Sequence, residues 1–186
     1  TGKSISYKFI KKRKEPYSLD GSFDIPHGVY VLTAGADVQD DRIECEVLGH
    51  GINGETWSIE YKVFSGDTEQ AQVWQEFDLF LMKQYRHQSG VLMNISGAGI
   101  DSGHRSKIVY AFCRDREYRR LFPVKGKGGW GQGNIKRPMH PHKDYGVWLI
   151  TVWVDELKLS LYSRLRTEIP GPQYCHFPYS PEYTEE

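Results

Sequence analysis

Three short runs of apolar and small residues in this chain each end on an aspartate. Residues 29–36 are closed by Asp37, residues 93–100 by Asp101 and residues 147–154 by Asp155. Runs of this length and makeup suit buried strands better than long helices. A carboxylate at the end of such a strand has its backbone fixed by the sheet while its side chain faces the rim. Three of them on one rim form an oxygen-rich pocket, which hard divalent cations prefer to nitrogen or sulfur donors. That pattern points to metal-assisted hydrolysis.

The segments between the runs set the fold. Residues 42–50 alternate, with Ile43, Cys45 and Val47 on one face and Arg42, Glu44 and Glu46 on the other; Trp57, Ile59, Tyr61 and Val63 alternate in the same way. Turn residues Gln39-Asp40-Asp41 and Gly51–Gly54 separate them, so the first three strands are predicted to form an antiparallel meander. Glu44 and Glu60, interleaved with apolar residues, are expected to face solvent. Ser65-Gly66-Asp67-Thr68 is a helix-start signal, and Val73, Trp74, Phe77, Phe80, Leu81 and Tyr85 recur at helical spacing to about Gln88. Ser102-Gly103 opens a second helix carrying Ile108, Val109, Phe112 and Cys113, and 121–124 reads as a short strand. Residues 125–145, rich in glycine and proline, read as a long irregular loop, and Leu157, Leu161 and Leu165 mark a last helix opening at Asp155. The order β-β-β-α-β-α-β-loop-β-α predicts an α/β fold, a mixed sheet with helices packed on its faces. With the first strand central, the ends of strands one and four and the start of the final helix are expected side by side.

At 186 residues the chain suits one domain with a real core. Residues 1–27, polar, basic and broken by Pro16 and Pro26, read as an arm from a longer protein; 28–178 as the domain; 179–186 as an acidic tail. No apolar stretch approaches the ~20 residues of a membrane helix. The N-terminus lacks a signal-peptide core, and Cys45, Cys113 and Cys175 are odd in number and far apart, which favours a reducing, intracellular setting. The formal net charge of zero hides basic stretches at 3–14 and at 103–143, where eleven Lys and Arg face only Asp115 and Glu117. Such clusters suit contact with a polyanion; a solvated face is the alternative.

Each aspartate also has a purely structural explanation. Asp37 can shape a hairpin, Asp101 a turn, and Asp155 can cap its helix for about 1 kcal/mol. Taken together they fit a different account: crowded carboxylates repel, and divalent cations resolve the repulsion. Two Mg²⁺ or Mn²⁺ ions about 3.5–4 Å apart can activate water and stabilise the leaving oxygen of a phosphodiester. His104, Arg105 and Lys158, close in sequence to these acids, are candidates to touch the scissile phosphate. Lys125, Lys127, Lys136 and Arg137 in the glycine-rich loop are candidates for DNA-backbone contacts, with Trp130 placed to stack on a frayed base. The loop lacks a Lys-Ser/Thr pair and a following helix, so it is no ATP site. Cys113, His140, His142, Cys175 and His176 contain no Cys-x-x-Cys pair, and buried thiols and exposed histidines account for them without zinc.

Residues 32–42, Leu-Thr-Ala-Gly-Ala-Asp-Val-Gln-Asp-Asp-Arg, are followed in order by Trp57-Ser-Ile-Glu-Tyr61, Gly66-Asp67, Ile100-Asp-Ser-Gly103, Val109-Tyr110, Phe112-Cys-Arg114, and Asp155 with Lys158 and Arg164-Leu165. This succession resembles the nuclease domain of lambda-type terminase large subunits from about Pro26 to Pro178. The resemblance implies an RNase H-like (integrase-like) fold and a metal-dependent endonuclease cutting concatemeric double-stranded viral DNA in the host cytoplasm. It also implies an upstream ATPase motor domain, a small terminase subunit and a portal or procapsid as partners. Asp37, Asp101 and Asp155 match the family's metal-binding acids. Two rivals share part of this pattern: another RNase H-like phosphoryl transferase, such as a recombinase or resolvase, and a non-catalytic module that grips DNA or the portal.

Overall fold

A computed structural model describes residues 7–17, 24–131 and 133–179. The acidic tail beyond Tyr179, and residues 1–6 and 18–23 of the arm, lie outside the described residues. In chain order the elements are α1 (Tyr7–Lys11), β1 (Lys14–Glu15), β2 (Val31–Val38), β3 (Arg42–His50), β4 (Thr56–Ser65), α2 (Ala71–Leu81), β5 (Gln84–Arg86), β6 (Leu92–Asp101), α3 (Ser106–Arg114), β7 (Leu121–Lys127), β8 (Ile135–Lys136), β9 (Ile150–Trp153), α4 (Val154–Leu165) and β10 (Cys175–Pro178).

One mixed sheet runs β1-β10-β4-β3-β2-β6-β7-β9-β8, with β5 paired to the outer end of β6. The expected meander is there: β2 pairs antiparallel with β3, and β3 with β4. Strands β2, β6, β7 and β9 are mutually parallel, so their carboxyl ends share one edge. The fold is α/β, a mixed sheet of RNase H-like type with helices packed on it.

Alternation decides which face is covered. Leu32, Ala34, Ala36 and Val38 of β2 and Ile43, Cys45 and Val47 of β3 are buried beneath α2 and α3. The helices contribute Val73, Trp74, Phe77, Phe80, Val109 and Phe112. Aromatic rings close the layer: Trp74 and Phe112 lie 4.9 Å apart, and Phe64 and Phe77 5.6 Å. Each such side chain contributes roughly 1.5–3 kcal/mol of burial, so this layer fixes the position of β2 and β6. The other set of side chains, Thr33, Gly35 and Asp37 on β2 with Gly97, Gly99 and Asp101 on β6, faces away from the two helices.

Several boundaries differ from expectation. The helix predicted to run to about Gln88 stops at Leu81, and Gln84–Arg86 turns into β5, which pairs with β6. The periodic signal carried by Tyr85 belongs to a strand: the side chain is buried, but by sheet pairing. The second helix opens at Ser106 rather than Ser102-Gly103. The 125–145 segment is not wholly irregular, since β7 continues to Lys127 and Ile135–Lys136 pairs with β9. Residues from before Gly28 also enter the fold: Ile25 is fully buried, and β1 pairs with β10. No helix among the described residues is long and apolar enough to cross a membrane.

Candidate metal centre

Asp37 and Asp101 come together. Strands β2 and β6 are parallel and in register at Ala36 and Ile100, so the next residue on each is an aspartate on the uncovered face. Neighbouring strands put such residues about 5 Å apart. Gln39 Nε2 donates to Asp37 Oδ2 at 2.5 Å, and the Gly103 backbone N–H donates to Asp101 Oδ1 at 3.0 Å. Each carboxylate therefore keeps one oxygen with no hydrogen-bond partner among the described residues. A side chain at Gly103 would crowd this edge, since a Cβ there would meet Asp101 Oδ2 at 3.3 Å.

Asp155 shares the carboxyl edge and stands apart from this pair. It lies in the first turn of α4, and its Oδ2 accepts the Gly129 N–H at 2.8 Å. Gly129 has a φ of 125°, a conformation that glycine adopts readily and that turns its N–H toward the carboxylate. Asp101 is level with Val124 on β7, while a Cβ on Gly128 would sit 3.5 Å from Asp155 Oδ2. Asp155 thus lies past the end of β7, beside Gly128 and Gly129 and on the β9 side of that strand. Strands one and four are thus side by side as expected, whereas the start of the final helix is not. Among the described residues no three His, Cys, Asp or Glu side chains converge closely enough to form a ready-made metal cage.

Glu44 shares the uncovered face with the pair without forming a three-acid cluster with it. It is directly opposite Asp37 in the β2–β3 ladder, and antiparallel partners point to the same face. Glu44 Oε2 accepts from the Tyr61 hydroxyl and Oε1 from Arg42 Nε, at 2.5 and 2.6 Å. Those two hydrogen bonds, Tyr61 first, hold its carboxyl below the usual carboxylate range, while burial and then Glu44 push the Tyr61 phenol up to about 12. The expectation that Glu44 and Glu60 face solvent holds in part for Glu44, which is 28% exposed, and fails for Glu60. Glu60 is 12% exposed and accepts from Lys83 Nζ and the Tyr85 hydroxyl at 2.7 and 2.8 Å. Glu44 avoids the helix-covered face, whereas Glu60 pairs with Val47 and lies on the α2 side of the sheet, beside Glu76, Leu79 and Phe80; Tyr61 and β5, which partly bury these acids, are neighbours that alternation alone does not reveal.

The basic candidates divide. His104 Nε2 and Arg105 Nη2 both bind Asp40 Oδ1 at 2.8 Å, and Arg105 also pairs with Glu69, so both are engaged by surface carboxylates. Lys158 is exposed on α4 one turn after Asp155. Lys125 and Lys127 are exposed on the part of β7 that runs past Asp101, and Lys136 shares with Lys125 the partner Thr151 on β9. Arg137 lies over the Trp148 ring at 4.9 Å. The β7–β9–β8 ribbon therefore carries exposed cations beyond the acid pair. Beside the pair, on the uncovered face, Gly97, Gly99, Phe122, Val124, Ile150 and Val152 line an open trough of about 520 Å³.

The cysteines are buried and unpaired, and His176 stacks on Trp57 at 4.4 Å with its two ring nitrogens facing Glu15 and Glu55. A family model described as the endonuclease domain of terminase large subunit gpA matches residues 1–186. The terminase large subunit of Escherichia phage lambda is 31% identical over 186 residues, 97% of this chain and 28% of that protein. The terminase large subunit of Enterobacteria phage P21 is 32% identical over 149 residues, 80% of this chain and 23% of that protein. The chain thus spans about a quarter of the length of these relatives. No solved structure matches it.

Proposed function

Because this chain belongs to the family of gpA-type terminase large-subunit endonuclease domains, we propose that it cuts double-stranded DNA during viral genome packaging, hydrolysing phosphodiester bonds of a concatemer with the help of divalent cations. The observation that carries this reading is the in-register Asp37–Asp101 pair, each with one carboxylate oxygen lacking a partner among the described residues. Mg²⁺ and Mn²⁺ sites of this kind need only one or two carboxylates, the remaining positions going to water and substrate phosphate. The pair therefore fits one such ion. When bound, the ion supplies charge neutralisation at the phosphate and an acidified water.

The protein's own part is positional. Gln39 and the Gly103 N–H each fix one oxygen of their aspartate, so the other oxygen points to a defined place without further ordering. Asp155 serves as the third acid, and a second ion would be shared between Asp37 and Asp155. In this role the Gly129 N–H would hold Asp155 Oδ2 and leave Oδ1 to face the ion. Exposed Lys125, Lys127, Lys136 and Arg137 on the neighbouring ribbon seat the DNA backbone, together with Lys158. An ATPase domain of the same protein, a small terminase subunit and the portal of the procapsid complete the working assembly in the host cytoplasm.

Asp37→Asn tests the reading. The parent chain is expected to nick or linearise plasmid with Mg²⁺ or Mn²⁺ and to stop in EDTA. The variant is expected to lose both cleavage and calorimetric Mn²⁺ binding while keeping the parent's circular dichroism and melting curve. Metal-dependent cutting that survives Asp37→Asn overturns the assignment.

A further inference from the structure

The acid pair needs a cation on the protein side to take the non-bridging oxygens of a phosphate, and the two basic residues nearest in sequence, His104 and Arg105, are spent on Asp40 and Glu69. Arg42 is placed differently. It opens β3 on the same face as Glu44, two residue pairs nearer the hairpin and opposite Gln39, whose side chain donates to Asp37. Its Nε is held by Glu44 at 2.6 Å and its Nη1 by Asp41 at 2.9 Å. Nη2 has no acceptor among the described residues, and the side chain is 41% exposed. Glu44 is itself fixed from behind by the Tyr61 hydroxyl at 2.5 Å. Tyr61, Glu44 and Arg42 thus form a chain of hydrogen bonds that ends in a guanidinium on the face that carries Asp37, at the hairpin end of β3.

A guanidinium of this kind differs from a surface lysine. Its planar fork is already ordered by two of its nitrogens, so a phosphate oxygen meeting the third costs little further freedom. It also introduces positive charge where two aspartates and a glutamate would otherwise repel an incoming phosphodiester.

We propose that Arg42 is a DNA-phosphate-binding residue of this site, with Glu44 as its positioning residue. The proposal rests on the acid-pair reading of Asp37 and Asp101, so the test separates the two. DNA affinity of the chain is measured across a salt series with Ca²⁺ in place of Mg²⁺ to block cleavage, and Mn²⁺ affinity is measured without DNA. Arg42→Gln is expected to weaken DNA binding about tenfold and to reduce the slope of log affinity against log salt by about 1, with Mn²⁺ affinity unchanged. Glu44→Gln is expected to give a smaller loss of DNA affinity in the parent and none in the Arg42→Gln background, which a merely structural glutamate would not do. Arg42→Lys keeps the charge but not the fork, and is expected to recover the salt slope but only part of the affinity.

An unchanged slope and affinity in Arg42→Gln, with Asp37→Asn still abolishing Mn²⁺ binding, overturns the assignment of Arg42 alone. Mn²⁺ binding that survives Asp37→Asn removes the site on which both depend. A Glu44→Gln loss that persists without Arg42 overturns the positioning role.

Discussion

Asp78 shows how a single carboxylate can tie the helix layer to the strand that carries the site. It lies on α2, is 16% exposed, and receives Arg116 Nη2 at 2.9 Å and Arg119 Nη1 at 2.7 Å. Both arginines sit just before β7, and Arg116 also stacks on Phe112 of α3 at 4.1 Å. Burial pushes the Asp78 carboxyl up, but the hydrogen bonds from Arg116 and then Arg119 outweigh it, and the net direction is down. A folded value below the unfolded ~3.9 means that the stabilisation is fully present above that pH. It is lost as pH falls through the lower, folded value. Asp78→Asn leaves two half-buried guanidinia short of an acceptor and is expected to cost roughly 2 kcal/mol at pH 7. Urea unfolding at a series of pH values checks this: the deficit should shrink as the parent is acidified below the ordinary carboxylate range. A deficit as large at pH 3 as at pH 7 would show that charge is not what the contact contributes. Glu44 has the same sign through Tyr61 and Arg42, so acidification also loosens the arginine proposed to meet DNA.

Among the elements, what was legible in sequence was whatever burial decides locally. The runs ending at Asp37 and Asp101 became β2 and β6, because alternating apolar residues on one face need only a helix layer to cover them. Their adjacency followed from β2 being central. Short strands were not legible: β5, β8 and β10 have two to four residues each and owe their existence to partners remote in sequence. The position of Asp155 was hidden for the same reason. Its strand was seen, but the overhang of β7 past Asp101, which shifts α4 outward, depends on pairing among β7, β8 and β9. Nor did the basic arm look like part of the fold, since its anchoring side chain is an arginine. Arg13 is 9% exposed; its Nε donates to the Tyr174 hydroxyl, Nη1 to the Leu165 carbonyl and Nη2 to the Cys175 carbonyl, at 3.1, 2.8 and 3.0 Å. The guanidinium also lies 4.0 Å from the Tyr174 ring centre. One residue thus ties the arm to the last turn of the helix that carries Asp155 and to β10. Arg13→Met keeps the apolar stem and removes every donor, so it is expected to cost roughly 3 kcal/mol. Hydrogen exchange should quicken at the ends of β10 and α4 first, and uniform loss of protection would mean the arm is no separate unit.

Across the whole molecule the formal net charge is zero, and the fold sorts its cations into two groups. Within 103–143, Arg105, Arg114, Arg116 and Arg119 are consumed by Asp40, Glu69, Asp115 and Asp78. Lys125, Lys127 and Lys136 stay exposed on the ribbon of β7, β9 and β8 past the acid pair, while Lys107, Arg120, Arg137 and Lys143 are exposed elsewhere in this stretch. Phosphate contacts release condensed counterions, about 0.9 per contact on duplex DNA, whereas internally paired arginines release none. The triple change Lys125→Ala, Lys127→Ala and Lys136→Ala is therefore expected to lower the slope of log affinity against log salt by roughly 3. Stability should move by no more than about 0.5 kcal/mol, as for other exposed positions. Arg114→Ala, whose partner is Asp115, serves as the comparison and should leave the slope unaltered. Fluorescence anisotropy on a duplex from 50 to 200 mM salt reads both. If the triple variant and Arg114→Ala give the same slope, the ribbon is a solvated face and the DNA runs elsewhere. If only the triple variant falls, the ribbon of β7, β9 and β8 is the surface on which the duplex is seated.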